Sequence, residues 1–160
     1  MNIISEQNPE QARRQIDKLA GKHPVVQGST IEFNRKMLEN KKIKALVLRH
    51  KGQKDSLKER GSGLNQVLCK IARDTGKTIL IDFSEIINSE GIEKAKILGR
   101  LMQNIMLLKK YDVKTGIVNK SGRDNYDLFS FLLTLGASTK FAKITAEIII
   151  IIKLSRTLVE

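Results

Sequence analysis

Apolar residues along the chain follow two patterns, which are short uninterrupted runs and stripes at helical spacing. The stretches ALVLR and TILIDF are of strand length, and the segment between them places Leu64, Val67 and Leu68 on one face of a helix. Strands are predicted at the N-terminus and at residues 24–27, 45–49, 78–83 and 113–118. The repeated order of strand, helix and strand implies right-handed crossovers and parallel pairing in one α/β sheet.

The number of repeats limits the architecture. About five strand–helix units are fewer than the eight of a complete (β/α)₈ barrel, so we expect an incomplete or short barrel. A chain of 160 residues with 41% hydrophobic content is suited to one core. We therefore expect a single domain over residues 1–160.

Capping residues predict where the helices begin and end. Asn8 begins the first helix and Gly21 ends it, Ser29 begins the second, which runs to about Asn40, and Ser62 begins the third. The remaining boundaries are predicted at Gly76, at 124–135 and at 138–147. A long helix presents Ile92, Ala95, Leu98, Leu101, Met102, Ile105 and Leu108 on its buried stripe, with Lys94, Lys96, Arg100 and Lys109 mostly off it. The apolar run 148–152 is ambiguous between helix and strand, and we favour helix.

Net charge narrows the class of partner. The chain carries a formal charge of +12 and has a pI near 9.9, which favours a polyanion such as nucleic acid or an anionic membrane. The longest apolar run, 148–152, is far shorter than the roughly 20 residues of a membrane span, so nucleic acid is preferred. The single cysteine, Cys69, lies on an apolar stripe, and together with the lack of a signal peptide it indicates a cytoplasmic protein.

Motifs that resemble catalytic sites lack the context that their chemistry needs. Gly76-Lys77-Thr78 precedes a strand instead of a helix, so it does not form a phosphate-binding loop. Asp82 ends a strand, but the two histidines, His23 and His50, have no ligand-spaced neighbours. We predict that Asp82 or Ser84 bonds local backbone N–H groups, and we predict no catalytic and no metal site.

The positive charge is concentrated in loops. Residues 35–60 contain ten Lys or Arg and three Asp or Glu, a net charge of +7, and much of it lies in the loop after the strand 45–49. Lys120 and Arg123 follow the strand 113–118. Because the carboxyl ends of parallel strands share one edge of the sheet, both loops are expected to form one anion-binding platform, to which backbone N–H groups of 61–63 add.

The stretches GLNQVLCKIA and YDLFSFLLTLGAS, with a Lys/Arg loop before the first, resemble the archaeal and eukaryotic ribonuclease P protein component 3 family. The resemblance covers nearly the whole chain. It implies a TIM-barrel-like fold related to the polymerase and histidinol phosphatase domain. Members of the family usually begin with a further strand and helix, so this chain is expected to lack the first unit.

The resemblance also implies a function. The protein would bind the catalytic RNA of ribonuclease P, pair with a small ferredoxin-like subunit and support removal of 5′ leaders from precursor tRNA. The RNA would perform the hydrolysis with Mg²⁺, and the protein itself would bind no cofactor. Arg35 and Arg60 fall where the family has arginines, whereas Gln66 stands where the family commonly has a His. The residues expected to contact RNA are Arg35, Arg49, Lys51, Lys54, Lys58, Arg60, Lys120 and Arg123.

Two other functions stay open at this point. A metal-dependent phosphoesterase of the related barrel class would use Asp82 and would hydrolyse phosphate esters with Mn²⁺ or Zn²⁺. A general basic chaperone for tRNA would bind RNA without increasing leader cleavage.

Overall fold

The computed structural model describes residues 3–19, 24–55, 57 and 60–150, and for residues 149 and 150 it describes the backbone alone. Within these residues one parallel sheet has six strands in the order β1-β2-β3-β4-β5-β6. The strands are β1 (Ile3–Ile4), β2 (Val25–Gln27), β3 (Ala45–Leu48), β4 (Thr78–Asp82), β5 (Thr115–Val118) and β6 (Ile149–Ile150). The predicted α/β, TIM-barrel-like arrangement of (β/α) repeats around a parallel sheet is confirmed.

The helices connect the strands on one face of the sheet. Within the described residues they are α1 (Pro9–Lys18), α2 (Ile31–Glu39), α3 (Gln66–Asp74), α4 (Phe83–Ile87), α5 (Gly91–Lys110), α6 (Asn125–Thr134) and α7 (Thr139–Glu147). None of them combines the length and the apolar character that would be needed to cross a bilayer.

Both faces of the central strands are buried, as the uninterrupted apolar runs predict. On one face, alternate residues such as Leu46 and Ile79 pack against α1, α2 and α3, and Ile81 packs against the helices that follow β4. The other face is a smaller cluster of strand residues that cover one another, as in the interior of a curved sheet: Val25, Ala45, Val47, Leu80 and Val118. Cys69 is buried in the first cluster as predicted, and burial raises the pKa of its thiol to about 12.

Some predicted helix starts are wrong by a few residues. Asn8 caps α1 as expected, but the predicted end at Gly21 lies outside the described residues. Thr30, not Ser29, caps α2 by accepting a hydrogen bond from the backbone N–H of Phe33. Asn65, not Ser62, caps α3. In each case a second residue with capping chemistry lies within three positions, and the sequence does not choose between neighbours.

The buried stripe of α5 is rotated from its predicted position. Ile92 and Met102, which were expected inside, are 77% and 45% exposed. Arg100, which was expected mostly outside, is only 4% exposed. The apolar residues of α5 are compatible with more than one buried face of the helix. The polar groups that Arg100 meets in the fold select the face that is observed.

The prediction of helix at residues 148–152 is wrong for the part that the structure describes. Ile149–Ile150 form β6 and pair in parallel with β5, and the backbone N–H of Ile117 donates to the carbonyl oxygen of Ile148 at 2.9 Å. Residues 151 and 152 lie outside the described residues. An unsatisfied edge of β5 offers these β-branched residues backbone hydrogen bonds, which outweighs continuation of α7.

Candidate nucleic-acid interface

A cleft of about 480 Å³ opens at the carboxyl edge of the sheet, where the loops after β1, β2 and β3 meet. Three of the predicted RNA-contact residues line it, namely Arg49, Lys51 and Lys54. The start of α2 lies beside them, and its Glu32 also lines the wall. We call this the carboxyl-edge cleft. It presents three cationic side chains and the positive end of a helix dipole to one space, which is suitable chemistry for an anion.

Asn34 and Gln53 hold the loops that form the walls of the cleft. The Oδ1 of Asn34 accepts a hydrogen bond from the backbone N–H of Ser29 at 2.8 Å, and its Nδ2 donates to the carbonyl oxygen of Gly63 at 2.7 Å. The Nε2 of Gln53 donates to the carbonyl oxygens of Ser29 and Arg49 at 3.0 and 3.1 Å. The loop after β2 is thereby tied at both sides to the loop after β3.

A buried arginine of α5 holds in place the loop that follows β3 (residues 49–60), which we call the basic loop. The two terminal nitrogens of Arg100 donate to the carbonyl oxygens of His50 and Gln53 at 3.1 and 2.7 Å. One of them also donates to Oδ1 of Asp55 at 3.0 Å. These contacts reach three residues of the loop from a helix 45 or more positions later in the sequence, so the loop has a defined path instead of being a solvated run of charge.

His50 is a structural part of the same network. Its backbone N–H donates to Oε2 of Glu85 at 2.8 Å, and its Nδ1 lies 3.5 Å from that oxygen. The amide nitrogen of Asn104 lies 3.1 Å from Nε2 of His50 and donates to the carbonyl oxygen of Ser62 at 2.9 Å. This geometry suits a ring that carries hydrogen on Nδ1 and accepts at Nε2. His50 is 1% exposed, so it positions the loop and does not face a ligand.

The loop after β3 returns on itself between Asp55 and Gly61. The backbone N–H of Gly61 donates to Oδ1 of Asp55 at 2.8 Å. This hydrogen bond, followed by the contact with Arg100, holds the pKa of the Asp55 carboxyl below its usual range. A Cβ atom at position 61 would lie 2.2 Å from the carbonyl oxygen of Lys54, so only glycine fits there. We call this closure the loop neck.

Two of the three N–H groups of the turn at residues 61–63, which were expected to add to the anion-binding platform, are already engaged within the protein. The N–H of Gly61 is engaged with Asp55, and that of Ser62 donates to the carbonyl oxygen of Arg60 at 2.8 Å. The glycines of this turn are needed for close packing at the cleft wall, and the cationic side chains carry the attraction for an anion.

The other predicted contact residues are distributed around this edge. Arg35 is exposed on α2 and is paired with Glu39 at 2.9 Å. Arg60 donates to the carbonyl oxygen of Gly99 at 2.9 Å and so also ties the loop to α5. Lys58 lies outside the described residues. Of the predicted set, Arg49, Lys51 and Lys54 therefore converge on one space, whereas Arg35 and Arg60 do not line it.

Lys120 and Arg123 lie in the loop after β5 and are exposed at the same edge of the sheet. The side-chain amide of Asn119 donates to the carbonyl oxygen of Arg123 at 2.7 Å, and the guanidinium of Arg123 is 3.5 Å from Asp127. Only β4 separates β5 from β3, so this loop lies roughly 10 Å from the basic loop at strand level. The two groups extend along one edge but do not share the carboxyl-edge cleft.

Asp82 bonds a local backbone N–H group, as predicted, and it does so as the cap of a helix, α4, that the sequence did not predict. Its Oδ1 accepts hydrogen bonds from the backbone N–H of Ser84 at 3.0 Å and from the hydroxyl of the same residue, at the start of α4. In the described part of the chain, no three His, Cys, Asp or Glu side chains are grouped so that they could hold a metal ion. Nothing in this geometry favours the phosphoesterase alternative.

Sequence reasoning missed the residues that hold the basic loop in place. They are Asn34, Gln53, Glu85, Arg100 and Asn104. The sequence gives one signal for some of these residues, which is a polar residue within the buried stripe of a helix. Asn104, between Leu101 and Leu108, is an example.

Comparison with known proteins gives a consistent result. No profile of a known protein family matches the chain. The chain is 30% identical over 139 residues to ribonuclease P protein component 3 of Methanocaldococcus jannaschii, covering 82% of this chain and 57% of that protein. It is 32% identical over 134 residues to the protein of the same name from Methanosarcina mazei, covering 82% of this chain and 53% of the relative. The chain thus spans little more than half the length of these relatives.

A solved structure also resembles the fold. A chain in the cryo-EM structure of archaeal ribonuclease P with mature tRNA matches with a TM-score of 0.71 and 28% identity. The match covers 91% of this chain and 63% of that chain. A similar fold is therefore found in a chain of that complex.

Proposed function

Since the chain belongs to the ribonuclease P protein component 3 family, we propose that it is a protein subunit of ribonuclease P, which binds the catalytic RNA and supports removal of the 5′ leader from precursor tRNA. The similar chain occurs in a complex of archaeal ribonuclease P with mature tRNA, which supports an RNA partner. A small ferredoxin-like protein is the second proposed partner. In this proposal the RNA is the catalyst, and Mg²⁺ is bound by the RNA.

The observation that carries the proposal is the convergence of Arg49, Lys51 and Lys54 on the carboxyl-edge cleft. Lys51 is exposed, and within the described residues its ion pair is a surface pair with Glu93 at 3.3 Å. A phosphate is able to displace such a pair because surface ion pairs are weak. The hydrogen bonds from Arg100, Asn34 and Gln53 hold the loop before RNA arrives. A loop that is already ordered loses less conformational entropy on binding.

The direct contacts in this proposal are made by Arg49, Lys51 and Lys54, and Lys120 and Arg123 extend the positive surface along the same edge. Arg35, exposed on α2, and Lys58, which lies outside the described residues, are further proposed contacts. Arg60 and Arg100 have a different role, because their guanidinium groups are already engaged with backbone carbonyl oxygens of other segments. Phosphate contacts of this kind position a protein on A-form RNA, whose recognition depends on shape and not on a side-chain code for bases.

Reconstitution tests the proposal. Ribonuclease P RNA and the ferredoxin-like subunit are assayed for leader removal at limiting Mg²⁺, with this chain, without it, or with the triple variant Arg49→Gln, Lys51→Gln, Lys54→Gln. We expect the chain to increase cleavage. The triple variant should be needed at an about tenfold higher concentration for the same cleavage, because three phosphate contacts are removed.

A charge-matched variant serves as the control. Lys36→Gln, Lys70→Gln, Lys96→Gln removes three exposed lysines that do not line the cleft, and it should act within about twofold of the unmodified chain. Equal losses in both triple variants would mean that total charge and not the cleft is responsible. Binding of precursor tRNA with no gain in cleavage would indicate the general chaperone instead.

A further inference from the structure

The opposite edge of the sheet carries a second concentration of positive charge. A lysine directly precedes each of three neighbouring strands, namely Lys44 before β3, Lys77 before β4 and Lys114 before β5. Backbone hydrogen bonds fix these starts side by side, because the N–H of Thr78 donates to the carbonyl oxygen of Lys44 at 3.2 Å and that of Ile79 to the carbonyl oxygen of Lys114 at 2.9 Å. Neighbouring strands are about 4.8 Å apart, so the three lysines span roughly 10 Å. We call this set, with the residues added below, the lysine edge.

Two clefts extend the lysine edge. The first, of about 480 Å³, is lined by Lys41, Lys44 and Lys77. The second, of about 410 Å³, is lined by Lys109, Lys114 and Lys140, and Asp112 is the one acidic residue in its wall. The two clefts lie next to each other because the strands that bound them are adjacent in the sheet.

These six lysines have little compensating charge. Among the described residues, none of them makes an ion pair with a carboxylate, whereas nearby Lys42 is paired with Asp17 at 2.5 Å. Lys77 is only 5% exposed, and burial lowers the pKa of its ammonium group. Gathering like charges in partly covered clefts costs free energy, and an anion bound there would recover it.

We propose that the lysine edge is a second surface for RNA phosphates, so that one molecule of this protein holds two RNA segments at opposite edges of its sheet. The inference rests on the proposed function for the nature of the ligand and adds a second site to it. Lysine provides compact charges for phosphate oxygens without base recognition, and the row of lysines matches an extended polyanion better than a single small anion.

The two surfaces act independently because of their separation. β4 has five residues and is therefore about 15 Å long, so the lysine edge and the carboxyl-edge cleft lie farther apart than the Debye length of about 8 Å in physiological salt. RNA bound at one surface therefore does little to repel RNA from the other through the solvent.

A bridging assay tests the inference. A biotinylated duplex RNA, long enough at about 20 base pairs to span either surface, is immobilised on beads, the protein is added and washed, and retention of a second, fluorescent duplex of different sequence is measured. The lysine-edge variant is Lys44→Gln, Lys114→Gln, Lys140→Gln, and it is compared with the cleft variant Arg49→Gln, Lys51→Gln, Lys54→Gln. We expect both variants to bind the immobilised duplex and to retain at least about tenfold less of the second duplex than the unmodified protein does.

Two further variants separate local from general effects of charge. Lys36→Gln, Lys70→Gln, Lys96→Gln should retain the second duplex within about twofold, since these lysines line neither edge cleft. Lys44→Arg, Lys114→Arg, Lys140→Arg should also bridge, because the charge is kept. Analytical ultracentrifugation should give one protein molecule per two duplexes.

The outcomes distinguish failure of this inference from failure of the proposed function. If the unmodified protein binds the first duplex but never retains the second, or if the lysine-edge variant bridges as well as the unmodified protein, the inference is overturned and the proposed function stands. If the unmodified protein binds neither duplex, RNA binding itself fails. A lysine-edge variant that loses binding to vesicles of phosphatidylserine and phosphatidylcholine, with bridging unchanged, would assign this edge to a membrane and would also overturn the inference.

Discussion

Arg100 shows how one side chain fixes a functional loop. Its guanidinium is buried on α5 and meets the carbonyl oxygens of His50 and Gln53 and the carboxylate of Asp55. Backbone carbonyl groups that turn away from water must be satisfied, and the planar fork of arginine satisfies two at once. Part of the free energy that holds the basic loop in place is thus supplied by a residue that does not line the carboxyl-edge cleft.

Substitution of Arg100 by Met should destabilise the protein by about 3 kcal/mol, because it leaves buried carbonyl groups without donors. Urea denaturation measures the loss, and Lys96→Met, on an exposed position of the same helix, should change the free energy of unfolding by less than about 0.5 kcal/mol. Arg100→Lys should recover only part of the stability, since an ammonium group does not reproduce the fork. Full recovery by lysine would show that charge alone matters at this position.

At the scale of helices and strands, apolar runs and capping residues predict the elements well where the pattern is unambiguous. The strands at 45–49 and 78–83 lie within one residue of their predicted ends because uninterrupted apolar runs are buried on both faces. Asp124 and Ser138 cap α6 and α7 as predicted. The short helix α4 was missed, because five residues carry too little periodicity to be recognised.

The misplaced elements share one physical cause. The tail at Ile149–Ile150 is a strand because β5 offers it a hydrogen-bonding edge, and the stripe of α5 is turned so that Arg100 meets the basic loop. Both outcomes depend on partners that are distant in the sequence. For the same reason the cationic residues of the carboxyl-edge cleft were predictable from local charge, whereas Asn34 and Asn104, which hold its walls, were not.

The pairing of β5 with β6 depends on Gly116. A Cβ atom at this position would lie 2.6 Å from both the carbonyl oxygen and Cγ2 of Ile148. Gly116→Ala should therefore push the strands apart and lower the free energy of unfolding by about 2 kcal/mol, as measured by thermal or urea unfolding. Gly91→Ala is the comparison. Gly91 has a φ of 52°, but an added Cβ there would meet no atom within 4 Å, so this change should cost only about 1 kcal/mol through backbone conformation. Equal losses would exclude the steric explanation.

At the scale of the whole molecule, a chain with a net charge of +12 concentrates basic residues at two opposite edges of one sheet. Parallel strands place all amino ends on one side and all carboxyl ends on the other, so the basic residues that flank the strands are separated by the length of the strands themselves. The fold thereby turns a general excess of charge into two surfaces, and hydrogen bonds from α2 and α5 hold the walls of the carboxyl-edge cleft.

Salt dependence reports how many phosphates are contacted. The logarithm of the affinity for ribonuclease P RNA should fall linearly with the logarithm of the salt concentration, and Lys54→Ala should reduce the slope by about one because one contact is lost. Lys36→Ala, on an exposed face of α2, should leave the slope unchanged. An affinity that does not respond to salt, or a slope that Lys54→Ala leaves intact, would contradict binding through phosphates at the cleft.

Because of the loop neck, the attachment of the basic loop to the rest of the fold does not depend on how long the loop is. Asp55 and Gly61 are joined by a hydrogen bond, and Asp55 and Arg60, which flank the segment 56–59, each contact α5. Doubling the length of a loop between two fixed points costs only about 0.6 kcal/mol in closure entropy. We therefore expect that a longer arm or a reporter peptide inserted between Asp55 and Arg60 leaves the shape of the carboxyl-edge cleft unchanged.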